Sequence, residues 1–108
     1  MKDELKSDLC SKFLKGLAAP ERLKIIQCLQ KGEMNVSDIA ASLKSDIANV
    51  SHHLGVLRHA GLVRDRKDGK FVIYSLNPEL FQHDLKQKLT GLLDLGCCRI
   101  DLGKAPKQ

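Results

Sequence analysis

Two helix-like patterns with almost no chain between them constrain this sequence more than any other feature. Residues 36–43, Val-Ser-Asp-Ile-Ala-Ala-Ser-Leu, put Val36, Ile39, Ala40 and Leu43 on one helical face, and after a tight turn through Lys44 a second pattern runs from Ser45 to Gly61. There Val50, Leu54 and Leu57 recur at i, i+4, i+7 and face a core. Ala48, Asn49, Ser51, His52 and Gly55 form another face of short, mostly hydrogen-bonding groups, shaped to lie against something polar. Ser45 suits the N-cap, Asp46 the first turn and Gly61 the position just past the end. A short helix joined so closely to a longer one is a helix-turn-helix pattern, spanning about residues 36–60.

The segments on either side complete a small domain. Residues 4–17 read as a helix with Leu5, Leu9, Phe13 and Leu17 inward, Lys6, Lys12 and Lys15 away, and Cys10 at the border of the apolar face. Pro20 opens a second helix, 20–31, whose broad arc of Leu23, Ile25, Ile26 and Leu29 marks it as the central core helix, with Cys28 at the edge. After Gly61, two strand-like runs, 62–67 and 70–76, flank Asp68-Gly69 and predict a hairpin. Alternation leaves open whether Phe71 and Ile73, or Val72 and Tyr74, face the core. Asn77-Pro78-Glu79 then resembles the start of a last helix, 78–95, striped by Phe81, Leu85, Leu89, Leu92 and Leu93 and ended by Gly96. In a single domain spanning 1–108, the stripes of the first and last helices lack cover, which predicts a homodimer seam built from both. The expected fold is mainly α with a β-hairpin wing at about 62–76.

Charge narrows the partner. The 18 Lys and Arg outnumber 13 acids for a formal +5, which suits a polyanion. Aromatics are only 4% with no Trp, so the stacking platform of a single-strand binder is missing and duplex DNA is favoured. No apolar run reaches membrane-spanning length and Met-Lys-Asp-Glu-Leu-Lys lacks a signal-peptide core, so the expectation is a cytoplasmic protein away from membranes. Its four cysteines should then be mostly reduced.

Several segments together resemble the ArsR/SmtB repressors. They are Ala19-Pro20-Glu21-Arg22-Leu23-Lys24-Ile25-Ile26, Val36-Ser37-Asp38-Ile39-Ala40, Val50-Ser51-His52-His53-Leu54 with Leu57-Arg58, Ala60-Gly61-Leu62-Val63, and Gly69-Lys70 followed by Tyr74-Ser75-Leu76. The resemblance covers roughly residues 15–80. It implies a winged helix-turn-helix and a homodimeric, non-enzymatic transcriptional repressor that a ligand, usually a metal or metalloid ion, releases from operator DNA.

On that reading Ala48, Asn49, Ser51 and His52 are the candidates for the major groove, where amide and hydroxyl groups read base edges and a methyl meets thymine. His53 falls on the packed side and reads as structural, and His59 as a helix-end cation. Arg64, Arg66, Lys67 and Lys70 on the hairpin, with Lys44, are candidate phosphate contacts to a pseudo-palindromic operator. Asp65 and Asp68 dilute that patch.

For the inducer, the Cys-x-Cys pair that some family members carry before the recognition helix is absent from Val36-Ser37-Asp38-Ile39-Ala40. His83-Asp84 has no second His to complete the last-helix site of others. Cys97-Cys98 remains. A vicinal pair closes a disulfide only through a strained ring, so it is better suited to chelating a soft ion, with Cys10 as a third thiolate. Arsenite or antimonite, As(III) or Sb(III), accepts two or three thiolates; cadmium, lead or zinc wants three or four. Cys28 reads as a buried hydrophobe, and no organic cofactor is expected. The alternative keeps the repressor but makes the thiols a redox or persulfide switch, with Cys10 linking to Cys97 or Cys98. A soft-metal buffer or thiol enzyme is disfavoured by the lack of a Cys-x-x-Cys motif or an activating His, and a winged helix that binds only protein would fail to shift any DNA.

Overall fold

The helical periods of the first sixty residues become helices in a computed structural model, which describes residues 7–84 and 89–102. Helix α1 spans Ser7–Leu17, α2 Pro20–Leu29, α3 Val36–Leu43 and α4 Ile47–His59. Cys10, Phe13, Gly16 and Leu17 form the buried face of α1, so Phe13 and Leu17 point inward as expected while Cys10 takes the place of Leu9, which is 45% exposed. Ile25, Ile26, Cys28 and Leu29 are buried on α2, and Val50, Leu54 and Leu57 on α4, which meet over Ile39 and Ala40 of α3.

Local chemistry sets the helix ends. Asn35 Oδ1 accepts the Asp38 amide at 2.8 Å and caps α3. At its other end Lys44 takes a left-handed conformation, φ 53°, and the Ser45 amide reaches back to the Ala40 carbonyl. That single left-handed residue makes the sharp turn of the helix-turn-helix. The N-cap of α4 is Asp46 rather than Ser45, and no side chain caps it. Ser45 Oγ instead accepts the Asn49 amide group at 3.3 Å.

Strands β2 (Val63–Asp68) and β3 (Phe71–Leu76) pair antiparallel from Val63↔Leu76 to Asp68↔Phe71, and the short β1 (Met34–Asn35) adds to the far side of β3. The loop is therefore Gly69-Lys70, one residue later than the expected Asp68-Gly69. Positive φ at Gly69 alone, 63°, is the pattern of a type II′ turn with glycine first. The phase left open by alternation is settled: Tyr74 and Leu76 pack on the core, and Phe71 is exposed near the tip.

The C-terminal region departs from expectation. Among the described residues of 78–95 there is no helix: β4 (Phe81–Asp84) pairs antiparallel with β5 (Leu89–Asp94), which pairs with β6 (Arg99–Asp101). Residues 85–88 lie outside the described residues, Leu85 among them, as do residues 4–6 of the expected first helix with Leu5 and Lys6. The sheet buries Leu80, Phe81, Leu93 and Leu95 on the chain's own core. Thr90 and Gly91 in the middle of the segment disfavour helix. The expected seam of a first and a last helix therefore loses its second half. Among the described residues no helix is long and apolar enough to cross a membrane.

Candidate nucleic-acid interface and thiol cluster

Helix α4 presents its polar face outward because Val50, Leu54 and Leu57 hold the opposite face in the core. Ala48, Asn49, Ser51 and His52 are all exposed, and Ser51, His52, Gly55, Val56 and His59 line a shallow strip along the helix. The strip has the small side chains that close approach to a base edge requires. Asn49 is engaged with Ser45, so its amide reaches a base by giving up a local bond. His59 Nδ1 lies 3.2 Å from the Gly55 carbonyl one turn back.

The basic candidates fall into two groups. Arg66 donates to Glu33 at 2.6 Å and lies 3.8 Å from Asp68, and Arg64 donates to Glu79 at 3.2 Å. The Arg66 hydrogen bond and charge hold the Glu33 carboxyl below the usual range, and Glu33 raises Arg66 in turn. These pairs fasten the hairpin to neighbouring loops. Lys67 and Lys70 at its tip, and Lys44 at the entry to α4, are exposed, and no ion pair engages them among the described residues. Arg58, outside the expected set, lies 3.8 Å from Asp65 and joins the reading helix to the wing.

His53 lies on the packed flank of α4, as its phase indicated. Its Nδ1 is 3.1 Å from Arg22 Nη1, and Arg22 Nε donates to the Gly16 carbonyl at 2.6 Å. Burial foremost, then Arg22, push the imidazole below its ordinary value; Glu21 opposes and His52 adds slightly. Nothing in the spacing of Gly16, Arg22 and His53 announced this bridge.

The three cysteines named from sequence converge. Cys10 of α1 meets Cys97 and Cys98, which sit in the β5–β6 turn closed by the Leu95 amide on the Cys98 carbonyl, with Gly96 at φ 93°. The three sulfurs lie within 4.8 Å of one another. Cys10 and Cys97, 87 residues apart, bring their sulfurs into contact with Cα–Cα 6.2 Å, and Cys98 Sγ lies 3.9 Å from Cys10 Sγ. Cys97 and Cys98 are not joined to each other. Cys28 is fully buried with its thiol 3.5 Å from Met34 Sδ and takes no part. As thiolates, these three soft donors fit a thiophilic ion.

Comparison with known proteins agrees with the geometry. The family described as "Bacterial regulatory protein, arsR family" matches residues 19–65. The transcriptional repressor SdpR of Bacillus subtilis is 35% identical over 75 residues, 69% of this chain and 83% of that protein. A cadmium resistance transcriptional regulatory protein CadC homolog of Staphylococcus aureus is 41% identical over 70 residues, 64% of this chain but only 58% of its own length. The solution structure of the homodimeric winged helix-turn-helix DNA-binding domain of Mb0332 from Mycobacterium bovis superposes with a TM-score of 0.66 at 30% identity, over 73% of this chain and 75% of that one. The chain belongs to the arsR family of bacterial regulatory proteins, as an ArsR/SmtB-type winged helix-turn-helix repressor of transcription that binds DNA and is not an enzyme.

Proposed function

We propose that this chain is a cytosolic, homodimeric repressor that leaves its operator when a thiophilic metal or metalloid ion, arsenite or antimonite in first place, is bound by Cys10, Cys97 and Cys98. The convergence of three sulfurs within 4.8 Å from opposite ends of the chain carries this reading. Arsenous acid and three thiols give three As–S bonds and three waters with no change of oxidation state. Three donors complete the shell of As(III), whereas a tetrahedral zinc or cadmium ion would need a fourth. That the Staphylococcus relative is named for cadmium resistance supports an ion of this soft class.

Ala48, Asn49, Ser51 and His52 read the major groove, and Lys44, Lys67 and Lys70 hold phosphates, joined by Arg64 and Arg66 when they exchange acid partners for DNA. Leu9 and Leu14, 45% and 43% exposed on α1, supply the apolar centre of the dimer seam. The site lies within one subunit and ties α1 to the C-terminal sheet. A ligand there resets α1, and with it the distance between two reading helices that must meet half-sites about 34 Å apart.

The closeness of Cys10 and Cys97, Cα–Cα 6.2 Å, favours a second reading of the same site, a thiol switch in which the two are linked on oxidation. A peroxide would take both thiol hydrogens and two electrons, giving one disulfide and two waters. The two readings separate at Cys98. We titrate arsenite, cadmium and hydrogen peroxide against the complex with a DNA duplex selected by the protein from a random pool. The metalloid switch predicts that Cys98→Ser blunts release by arsenite, and the thiol switch that it leaves release by peroxide intact. If wild type and a Cys97→Ser/Cys98→Ser variant dissociate identically with every agent, the sensor assignment fails.

A further inference from the structure

One guanidinium ties three helices together. Arg22, in the first turn of α2, donates through Nε to the Gly16 carbonyl near the end of α1 at 2.6 Å, and places Nη1 3.1 Å from His53 Nδ1 in the middle of α4. The Gly16 carbonyl is one of those that a helix end leaves without an intrahelical partner, and a cation there also complements the dipole. Packing is tight at the same corner: a Cβ on Gly16 would stand 2.7 Å from Ala60 Cβ and 2.9 Å from a Leu62 methyl. The end of α1 thus seats directly on the end of α4, and Arg22 sets the rest of α4 against it.

The chemistry of the contact fixes a protonation state. Arginine has donors only, so His53 must accept through a bare Nδ1 and carry its proton on Nε2. Once protonated at both nitrogens, His53 has nothing to accept with and faces Arg22 as a second cation. The groups around it are Arg22 and Glu21 from α2 and His52 from its own helix, with Lys24 of α2 and Lys44 lining the same cleft. Only Glu21 among these favours the imidazolium. We propose that Arg22 and neutral His53 form a latch that sets the reading helix for DNA, so that operator affinity falls when His53 takes up a proton.

The sign for stability follows the same direction. His53 lies below its ordinary value in the folded chain, so the unfolded chain binds this proton more readily. The contribution of the latch is complete above about 6.5, the value of an unperturbed histidine, and is lost as pH falls from there through the folded value.

The test measures affinity for the selected duplex at constant salt from pH 7.5 to 5.5, with circular dichroism at both limits, and needs no metal. His53→Gln keeps an acceptor for Arg22 and cannot titrate. A single coupled proton changes an equilibrium by up to about tenfold per pH unit, and His53 starts below its ordinary value, so wild type should lose affinity relative to His53→Gln as pH falls over this range, by up to about tenfold at its lower end. Arg22→Ala should bind more weakly than wild type at pH 7.5, and its affinity ratio to His53→Gln should stay flat with pH. Parallel pH profiles for wild type and His53→Gln would overturn the latch, as would equal affinity of Arg22→Ala and wild type at pH 7.5.

Discussion

The helix-turn-helix and the C-terminal sheet open on the same local device and then part. Asn35 accepts the Asp38 amide at 2.8 Å, and eight residues of α3 follow. Asn77 accepts the Glu79 amide at 3.0 Å, with Pro78 and an early acid in place, yet the Leu80 and Phe81 amides return to the Asn77 carbonyl for a single turn before β4 begins. Asn77 also donates to the Gly61 carbonyl at 2.9 Å, which ties the aborted turn to the end of the reading helix. A cap starts a helix; burial of its apolar face decides whether it continues. After Asn35 that face lands on α2 and α4, whereas after Asn77 it is strands that bury Phe81 and Leu93 on the core.

The largest effect tests whether the sheet belongs to that core. Leu93 is fully buried, as is Leu54 of the reading helix. Leu93→Ala should therefore cost about 2–5 kcal/mol in urea unfolding, as Leu54→Ala should, through lost transfer and a cavity. A loss below about 1 kcal/mol at Leu93 alone would separate the sheet from the core. Next comes the α1–α4 corner, where Gly16→Ala has no room and overpacking should cost about 1–3 kcal/mol in the same measurement. A neutral result would mean that α1 shifts freely on α4.

A smaller effect contrasts the tip of the wing with its base. Each of Lys67→Ala and Lys70→Ala should reduce the slope of log affinity against log salt by about 1, the value of one phosphate contact. Arg66→Ala should reduce it less, because Arg66 must first leave Glu33. Equal slopes would show that the wing arginines reach phosphate as readily as the lysines. Smallest is the acid limb of the Glu33–Arg66 pair. Glu33 is depressed in the folded chain, so its contribution is present above about 4.3, the ordinary glutamate value, and lost as pH falls through the folded value. Thermal melts of wild type should show this acid loss, and those of Arg66→Ala should lack it.

Much of the reader was legible because its information is local. The stripe of Val50, Leu54 and Leu57 fixed which face of α4 is buried, and Asp68-Gly69 placed the hairpin to within one residue. The errors there are single steps: the cap at Asp46 rather than Ser45, and Cys10 rather than Leu9 on the inner face of α1. The last helix failed for a different reason. A spacing of four serves a helical stripe, yet the same residues also supply strands, and only a partner surface chooses between them. The Arg22 bridge gave no signal, since Gly16, Arg22 and His53 are related by no helical or strand period.

The sequence by itself determined the helix-turn-helix and the wing, because their periodicities and turn residues act within a few positions of one another. Only the tertiary structure decided that Cys10 and Cys97, 87 residues apart, lie together beside Cys98, and that Arg22 holds His53. Contacts of that reach are made by the burial of whole elements, which no local pattern encodes.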